Sequence, residues 1–160
     1  MDAITLLKND HEKVEAVFAK YEATSSRAQK TRRKLVDQII KELSVHAAIE
    51  EEIFYPSVRR SVEDADDEVL EGIAEHHIVK WTLSELQTAD PSDEMFHPRV
   101  TVLIEMVRHH VEEEEGEMFP SVEAAMSSDD LDDLGQELES AKATAPTVPQ
   151  PEPASASAPA

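Results

Sequence analysis

Apolar positions recur along most of this chain with the three-to-four-residue spacing of an amphipathic α-helix. Four long stretches carry the pattern, over 3–22, 28–58, 67–88 and 97–119, and residues 129–141 carry it more briefly. The segments between them are short and polar: ATSSR at 23–27, VEDADD at 62–67 and ADPSD at 89–93, where Ser92 or Asp93 is placed to cap the helix that follows. Pro98 fits the first turn of that helix, which therefore starts near His97. Short links make neighbouring helices antiparallel. The pattern predicts an all-α, up-and-down antiparallel four-helix bundle over 1–126 and a short fifth helix within 127–142. Residues 143–160 hold the Pro, Ala and Ser tract TAPTVPQPEPASASAPA, which has too few apolar side chains to offset the entropy of ordering and is expected to be disordered.

The inward seams are not purely apolar. The first helix presents Ile4, Leu7, His11, Val14, Phe18 and Tyr21, and the third presents Val69, Gly72, His76, Val79, Leu83 and Leu86, each 65 residues on. The second presents Val36, Ile39, Leu43, His46, Glu50 and Ile53; the fourth, 64 residues on, presents Val100, Leu103, Val107, His110, Glu114 and Glu117. Both of the latter runs then reach proline, at Pro56 and Pro120. The chain thus reads as two copies of one helix pair, with His on the first member and His-x-x-x-Glu on the second.

His-x-x-x-Glu alone is a weak signal, since roughly one is expected by accident at this Glu content. The chain holds four, but the partners in His11/Glu15 and His109/Glu113 lie off the seams, which assigns those two pairs to chance or to a solvated face. Residues four apart on a helix sit about 40° apart around the axis, so His46 and Glu50 reach one point, as do His110 and Glu114. Antiparallel packing brings His11 level with the first pair and His76 level with the second. Four imidazoles and two carboxylates then meet in an apolar interior, where an unpaired carboxylate costs several kcal/mol. Bound cations remove that cost, and the donors suit iron, manganese or zinc, with two metals sharing two carboxylates and taking two histidines each. A lone seam histidine is more often a hydrogen-bonded core residue; four at one depth are not. His77, His97 and His109 stay outside the set.

Composition narrows the function classes. A formal charge of -20 repels phosphate backbones and anionic lipid headgroups, so neither nucleic acid nor membrane is an expected partner. The chain has no cysteine, which excludes disulfides, thiolate metal sites and cysteine nucleophiles and fits a reducing compartment. No apolar run reaches the roughly 18 residues of a spanning helix, so the chain reads as soluble and cytoplasmic.

The fragments DHEKV at 10–14, HAAIEEEIFYP at 46–56, EHHIV at 75–79 and HVEEEEGEMFP at 110–120 together resemble the hemerythrin-like, or HHE cation-binding, family. That resemblance covers roughly residues 3–121 and implies a non-haem centre of two iron ions, oxo- or hydroxo-bridged. By the same resemblance His11, His46, His76 and His110 are terminal ligands, and Glu50 and Glu114 bridge. Consecutive histidines and glutamates in the fourth helix leave a register using His109 or Glu115 open; the single His46 of the second helix favours His110 and Glu114. Tyr55 could stand beside the metal, but regular helix geometry puts it well off the His46/Glu50 direction, which favours an aromatic covering the helix end.

Oxygen-carrying hemerythrins have a second histidine one turn on in the third helix, and here that place is Lys80. The difference counts against reversible dioxygen carriage and implies open positions where hydrogen peroxide, nitric oxide or dioxygen binds and reacts. The competing classes are a non-enzymatic protein that binds or senses dioxygen, nitric oxide or iron, and an interaction bundle without metal. A ferritin-like centre is disfavoured, because no inward Glu-x-x-His occurs.

Overall fold

Each of the four periodic stretches folds as a helical rod, but two of the rods are not regular throughout. In the computed structural model, which describes residues 1–150, the first rod is α1 (Ala3–Glu22) and the third is α4 (Asp66–Gln87). The second runs as α2 (Gln29–Ile49), a π turn (Glu50–Phe54) and α3 (Tyr55–Ser61); the fourth as α5 (Phe96–Glu113), a second π turn (Glu114–Met118) and α6 (Phe119–Ala125). A further helix, α7 (Ser128–Lys142), lies where the fifth was expected. No strand occurs among the described residues.

The second and fourth rods outrun the expected ends at 58 and 119 because the π turns carry the helix past its prolines. Proline has no N–H to donate, and its ring crowds the carbonyl four residues back. A five-residue turn relieves that crowding. The Tyr55 N–H donates to the Glu50 carbonyl and the Phe119 N–H to the Glu114 carbonyl, so Pro56 and Pro120 fall in the first turn of a fresh α segment, where proline is tolerated.

Each π turn slips the seam by one residue, which corrects two expected inward positions. Ile53 is only partly buried and Glu117 is exposed. Phe54 and Met118 are buried instead, followed by Tyr55 and Phe119. Ahead of the turns every expected seam residue is buried. The Asp2 carboxylate caps α1 by accepting the Thr5 N–H at 2.9 Å, and Ser127 caps α7. Neither Ser92 nor Asp93 caps α5; Asp93 accepts the Met95 N–H in the turn ahead of it.

The donor layer divides the apolar interior into two clusters. One holds Val14, Phe18, Val36, Ile39, Leu83 and Leu103 with their neighbours. The other holds Leu7, Phe54, Tyr55, Val58, Met118 and Phe119, and is closed by Leu131, Leu134 and Leu138 of α7. α7 lies so close to the start of α1 that a Cβ on Gly135 would strike the backbone of Met1 to Ala3. The expected disordered tail lies, from residue 151, outside the described residues. Over 143–150 the chain runs through turns, with Ala145 partly buried against the core.

Candidate metal centre

α1, α2, α4 and α5 each deliver one imidazole to a common layer: His11, His46, His76 and His110, all at most 8% exposed. The two π turns begin at the two carboxylates, Glu50 at 0% and Glu114 at 2%. The six side chains form two overlapping groups, one of His11, His46, Glu50 and Glu114 and the other of Glu50, His76, His110 and Glu114, each with its donor atoms within 4.8 Å of one another. The pairing of His11 with His46 and of His76 with His110 is the one that antiparallel packing predicts.

Each carboxylate spans both groups. Glu50 sets Oε1 3.1 Å from His46 Nε2 and Oε2 3.1 Å from His76 Nε2. Glu114 sets Oε2 3.3 Å from His11 Nε2 and Oε1 3.2 Å from His110 Nε2. Glu50 Oε1 and Glu114 Oε2 are buried with no well-directed hydrogen bond, although imidazole nitrogens lie near. Close approach without good direction suits donors aimed at a point between them rather than at one another.

An outer ring of carboxylates decides which imidazole nitrogen is free. Glu115 lies 2.7 Å from Nδ1 of His11, Asp10 3.4 Å from that of His46 and Glu75 2.8 Å from that of His110, while Glu51 stands 3.6 Å from Nδ1 of His76. For His11, His46 and His110 these partners keep the proton on Nδ1 and leave the Nε2 lone pair facing inward, whereas Glu51 stands beyond hydrogen-bond distance of His76 Nδ1, which is buried without a partner among the described residues. Yet the Nε2 atoms of His11 and His46 are 3.2 Å apart, and those of His76 and His110 3.1 Å. Two lone pairs at that distance repel unless a proton or a metal ion lies between them. With metal-to-nitrogen and metal-to-oxygen bonds of about 2.1 Å, neighbouring ligand atoms stand about 3.0 to 3.4 Å apart, so the donor set fits a metal ion in each half.

In the metal-free chain protons take that place. Burial alone would pull His46 down, but the Glu50 charge and the Asp10 bond override it and hold His46 at about 10. Burial is likewise outweighed at His110, where the Glu114 bond holds the ring at about 9. Burial and mutual repulsion would raise Glu50, yet His46 and His76 keep it below the ordinary carboxylate range. Both rings therefore carry an extra proton at pH 7, and metal ligation requires its loss. Loading the metal-free chain at pH 7 should release about two protons, measured by calorimetry in buffers of different ionisation enthalpy. Zero release would show that His46 and His110 are already neutral.

Tyr55 is also in the layer, against the direction that a regular helix gives it. The added residue of the π turn rotates it inward, and its hydroxyl donates to Glu114 Oε1 at 2.7 Å and stands 3.3 Å from both His76 Nε2 and His110 Nε2. Burial, then the charges of Glu50 and Glu114, push the phenol well above its usual range and keep the proton on it. Gly72 makes the room: a Cβ there would meet the Tyr55 hydroxyl oxygen at 3.0 Å. In the repeat, Phe119 and Leu7 take the places of Tyr55 and Gly72. Phe119 stacks on His11 at 5.7 Å much as Tyr55 lies against His76 at 5.4 Å, but brings no hydroxyl. The two halves of the layer are therefore chemically unequal.

The outer carboxylates are functional candidates that the seam pattern misses. The repeat contains their signal, because Asp10 and Glu75 each precede the first histidine of a hairpin and Glu51 and Glu115 each follow its seam glutamate. Lys142 of α7 binds Asp10, and Lys80 binds both oxygens of Glu51 at 2.9 and 3.0 Å. His77 and His109 lie outside the layer, exposed. His97 packs at the far end, against Tyr21.

Comparison with known proteins bears on the family and the fold. A DNA nickase from Nostoc sp. is 31% identical over 142 residues, which cover 89% of this chain and 39% of that protein, so the chain spans well under half of that relative. An uncharacterized hemerythrin-like protein of Schizosaccharomyces pombe is 26% identical over 143 residues, 89% of this chain and 70% of the other. The crystal structure of a hemerythrin HHE cation binding domain-containing protein from Mycobacterium kansasii superposes with a TM-score of 0.76 at 23% identity, over 90% of this chain and 86% of that one, and so shares the fold. The sequence description of the hemerythrin HHE cation binding domain matches residues 2–122, a span that contains all six inward donors and Tyr55, and the chain belongs to that family.

Proposed function

We propose that this chain is a non-haem di-iron protein that binds and reacts with small oxidants, with hydrogen peroxide or nitric oxide as its substrate and their removal as its task. The observation that carries the proposal is the six-donor layer with only four imidazoles, in which Lys80 is turned away to Glu51. A centre with fewer protein ligands keeps positions for a second molecule. Bound iron would supply Lewis acidity and electrons to the oxidant.

The chain's own residues give that chemistry its setting. Apolar clusters on either side of the layer exclude bulk water. Outer carboxylates hold the rings of His11, His46 and His110 with Nε2 inward. The Tyr55 hydroxyl occupies space on the His76/His110 side, whereas Phe119 offers no oxygen or nitrogen on the His11/His46 side. An incoming molecule would therefore meet a hydroxyl beside His76 and His110 but only ring carbon beside His11 and His46. The nicking activity in the name of the Nostoc relative does not carry over to this chain, which matches 39% of that protein and whose charge of -20 repels a phosphodiester backbone.

Protein produced with iron should contain about two irons per chain and absorb in the near-ultraviolet or visible through ligand-to-iron charge transfer. Added hydrogen peroxide should evolve oxygen, two peroxides giving two waters and one dioxygen, faster than the same concentration of free iron; nitric oxide consumption is assayed in parallel. A folded, colourless, iron-free chain would overturn the di-iron reading. Two irons without turnover of either oxidant would leave a protein that holds dioxygen, nitric oxide or iron without consuming it.

A further inference from the structure

One His-x-x-x-Glu pair, His109/Glu113, takes no part in the buried layer, and its surroundings show more than a solvated ion pair. His109 Nε2 stands 3.1 Å from Glu113 Oε1 and 3.8 Å from Glu75 Oε2. Donor atoms of all three side chains lie within 4.8 Å of one another. Bonds of about 2.1 Å require neighbouring ligands about 3.0 to 3.4 Å apart, so the first spacing already fits and the second needs a shift of a few tenths of an ångström. His109 is 63% exposed and Glu113 37%, which leaves them free to make that shift and leaves the point between them open to solvent.

Two further observations describe the charge around these three groups. Glu75 is shared, since its Oε1 already accepts from His110 Nδ1 at 2.8 Å while Oε2 faces His109. The carboxylate is thereby fixed on one side and presents its other oxygen outward. Beside it, α4 carries Glu68 and Glu71, and the second π turn carries Glu117. Glu68 Oε1 is buried and has no hydrogen-bond donor among the described residues. Its burial, and after that the negative charges of Glu117, Glu113, Glu114 and Glu71, hold this carboxyl above its ordinary value. Four other carboxylates thus act on Glu68 along this strip.

We propose that Glu75, His109 and Glu113 form an outer site for a divalent first-row metal ion, one carboxylate removed from His110. One imidazole and two carboxylates on one side of the ion, with water on the other, suit zinc, manganese or ferrous iron. The site is distinct from the buried layer and takes none of its six inward donors.

The test uses the full chain, loaded with iron, freed of excess metal and titrated with zinc by calorimetry, with bound zinc and iron then measured in the same samples. One zinc per chain should bind saturably above the iron already present. His109→Ala and Glu113→Gln should each weaken that binding about ten-fold or more while leaving iron content unchanged. No saturable zinc binding, or zinc binding unaffected in both variants, would overturn the outer site. Iron content reports separately on the buried centre: a chain with no iron but with His109-dependent zinc binding would overturn the di-iron reading and support this one.

Discussion

Glu114→Ala should lower the iron content from about two per chain to less than about one, and Glu50→Ala should do the same. Each of these carboxylates places one oxygen in each half of the layer, so on the proposed di-iron reading its removal would take a ligand from both metals at once. Loss of a supporting group that merely orients a ligand costs 10- to 100-fold in metal affinity, and loss of a shared ligand costs more. Stability should follow. Metal present at about a thousand times its dissociation constant adds roughly 4 kcal/mol to folding, and each kcal/mol moves the melting temperature of a chain this size by about 2 to 4 °C. The iron-loaded wild type should therefore melt about 10 °C above the Glu114→Ala variant prepared in the same way, by calorimetry alongside elemental analysis. His77→Ala, whose side chain lies outside the layer, should retain both irons. A Glu114→Ala chain with two irons and an unchanged melting temperature would show that Glu114 is not a ligand.

The second large effect is expected at Gly72, and it has a built-in rescue. Gly72→Leu places a branched side chain where even a Cβ meets the Tyr55 oxygen at 3.0 Å, with Tyr55 Cζ at 3.3 Å and a His110 ring carbon at 3.6 Å. Tyr55 is 1% exposed and cannot swing into solvent without opening the core. Overpacking costs about 1 to 3 kcal/mol, and displacing a hydroxyl that donates to a buried carboxylate adds a comparable amount. Tyr55→Phe removes the oxygen that the introduced leucine side chain would strike and copies the arrangement of the other half, Phe119 with Leu7. The double variant should recover at least about 1 kcal/mol of the Gly72→Leu loss, read as a coupling energy from denaturant unfolding of all four proteins. Simple additivity would mean that Gly72 is not there to accommodate the hydroxyl.

The sequence made the six inward donors legible because His11 and His76 lie on rods without a π turn and the other four stand at or ahead of the first residue of one, where the helical period is undisturbed. Tyr55, Ile53 and Glu117 were misplaced for the opposite reason: they follow the start of a turn that adds one residue, and a regular period carried through it points to the wrong face. Pro56 and Pro120 were the available warning, since a helix that continues past proline must alter its hydrogen bonding somewhere. Asp10, Glu51 and Glu75 escaped, and Glu115 entered only as an alternative inward register, because all four neighbour seam residues in sequence and so point about 100° away from them. From there they reach sideways to an imidazole on another helix, a contact that no single-helix pattern encodes.

Each π turn is in effect a single amino acid spliced into an ordinary rod. If one residue were removed there, Phe54 and Tyr55 would follow Glu50 at intervals of three and four and still look the same way. The splice occupies 50–54 in one hairpin and 114–118 in the other, at the offset of 64 that relates the two copies. The extra residue is therefore part of the repeated unit itself, and the two copies differ just beyond it, where one sets the phenol of Tyr55 against His76 and the other the plain ring of Phe119 against His11.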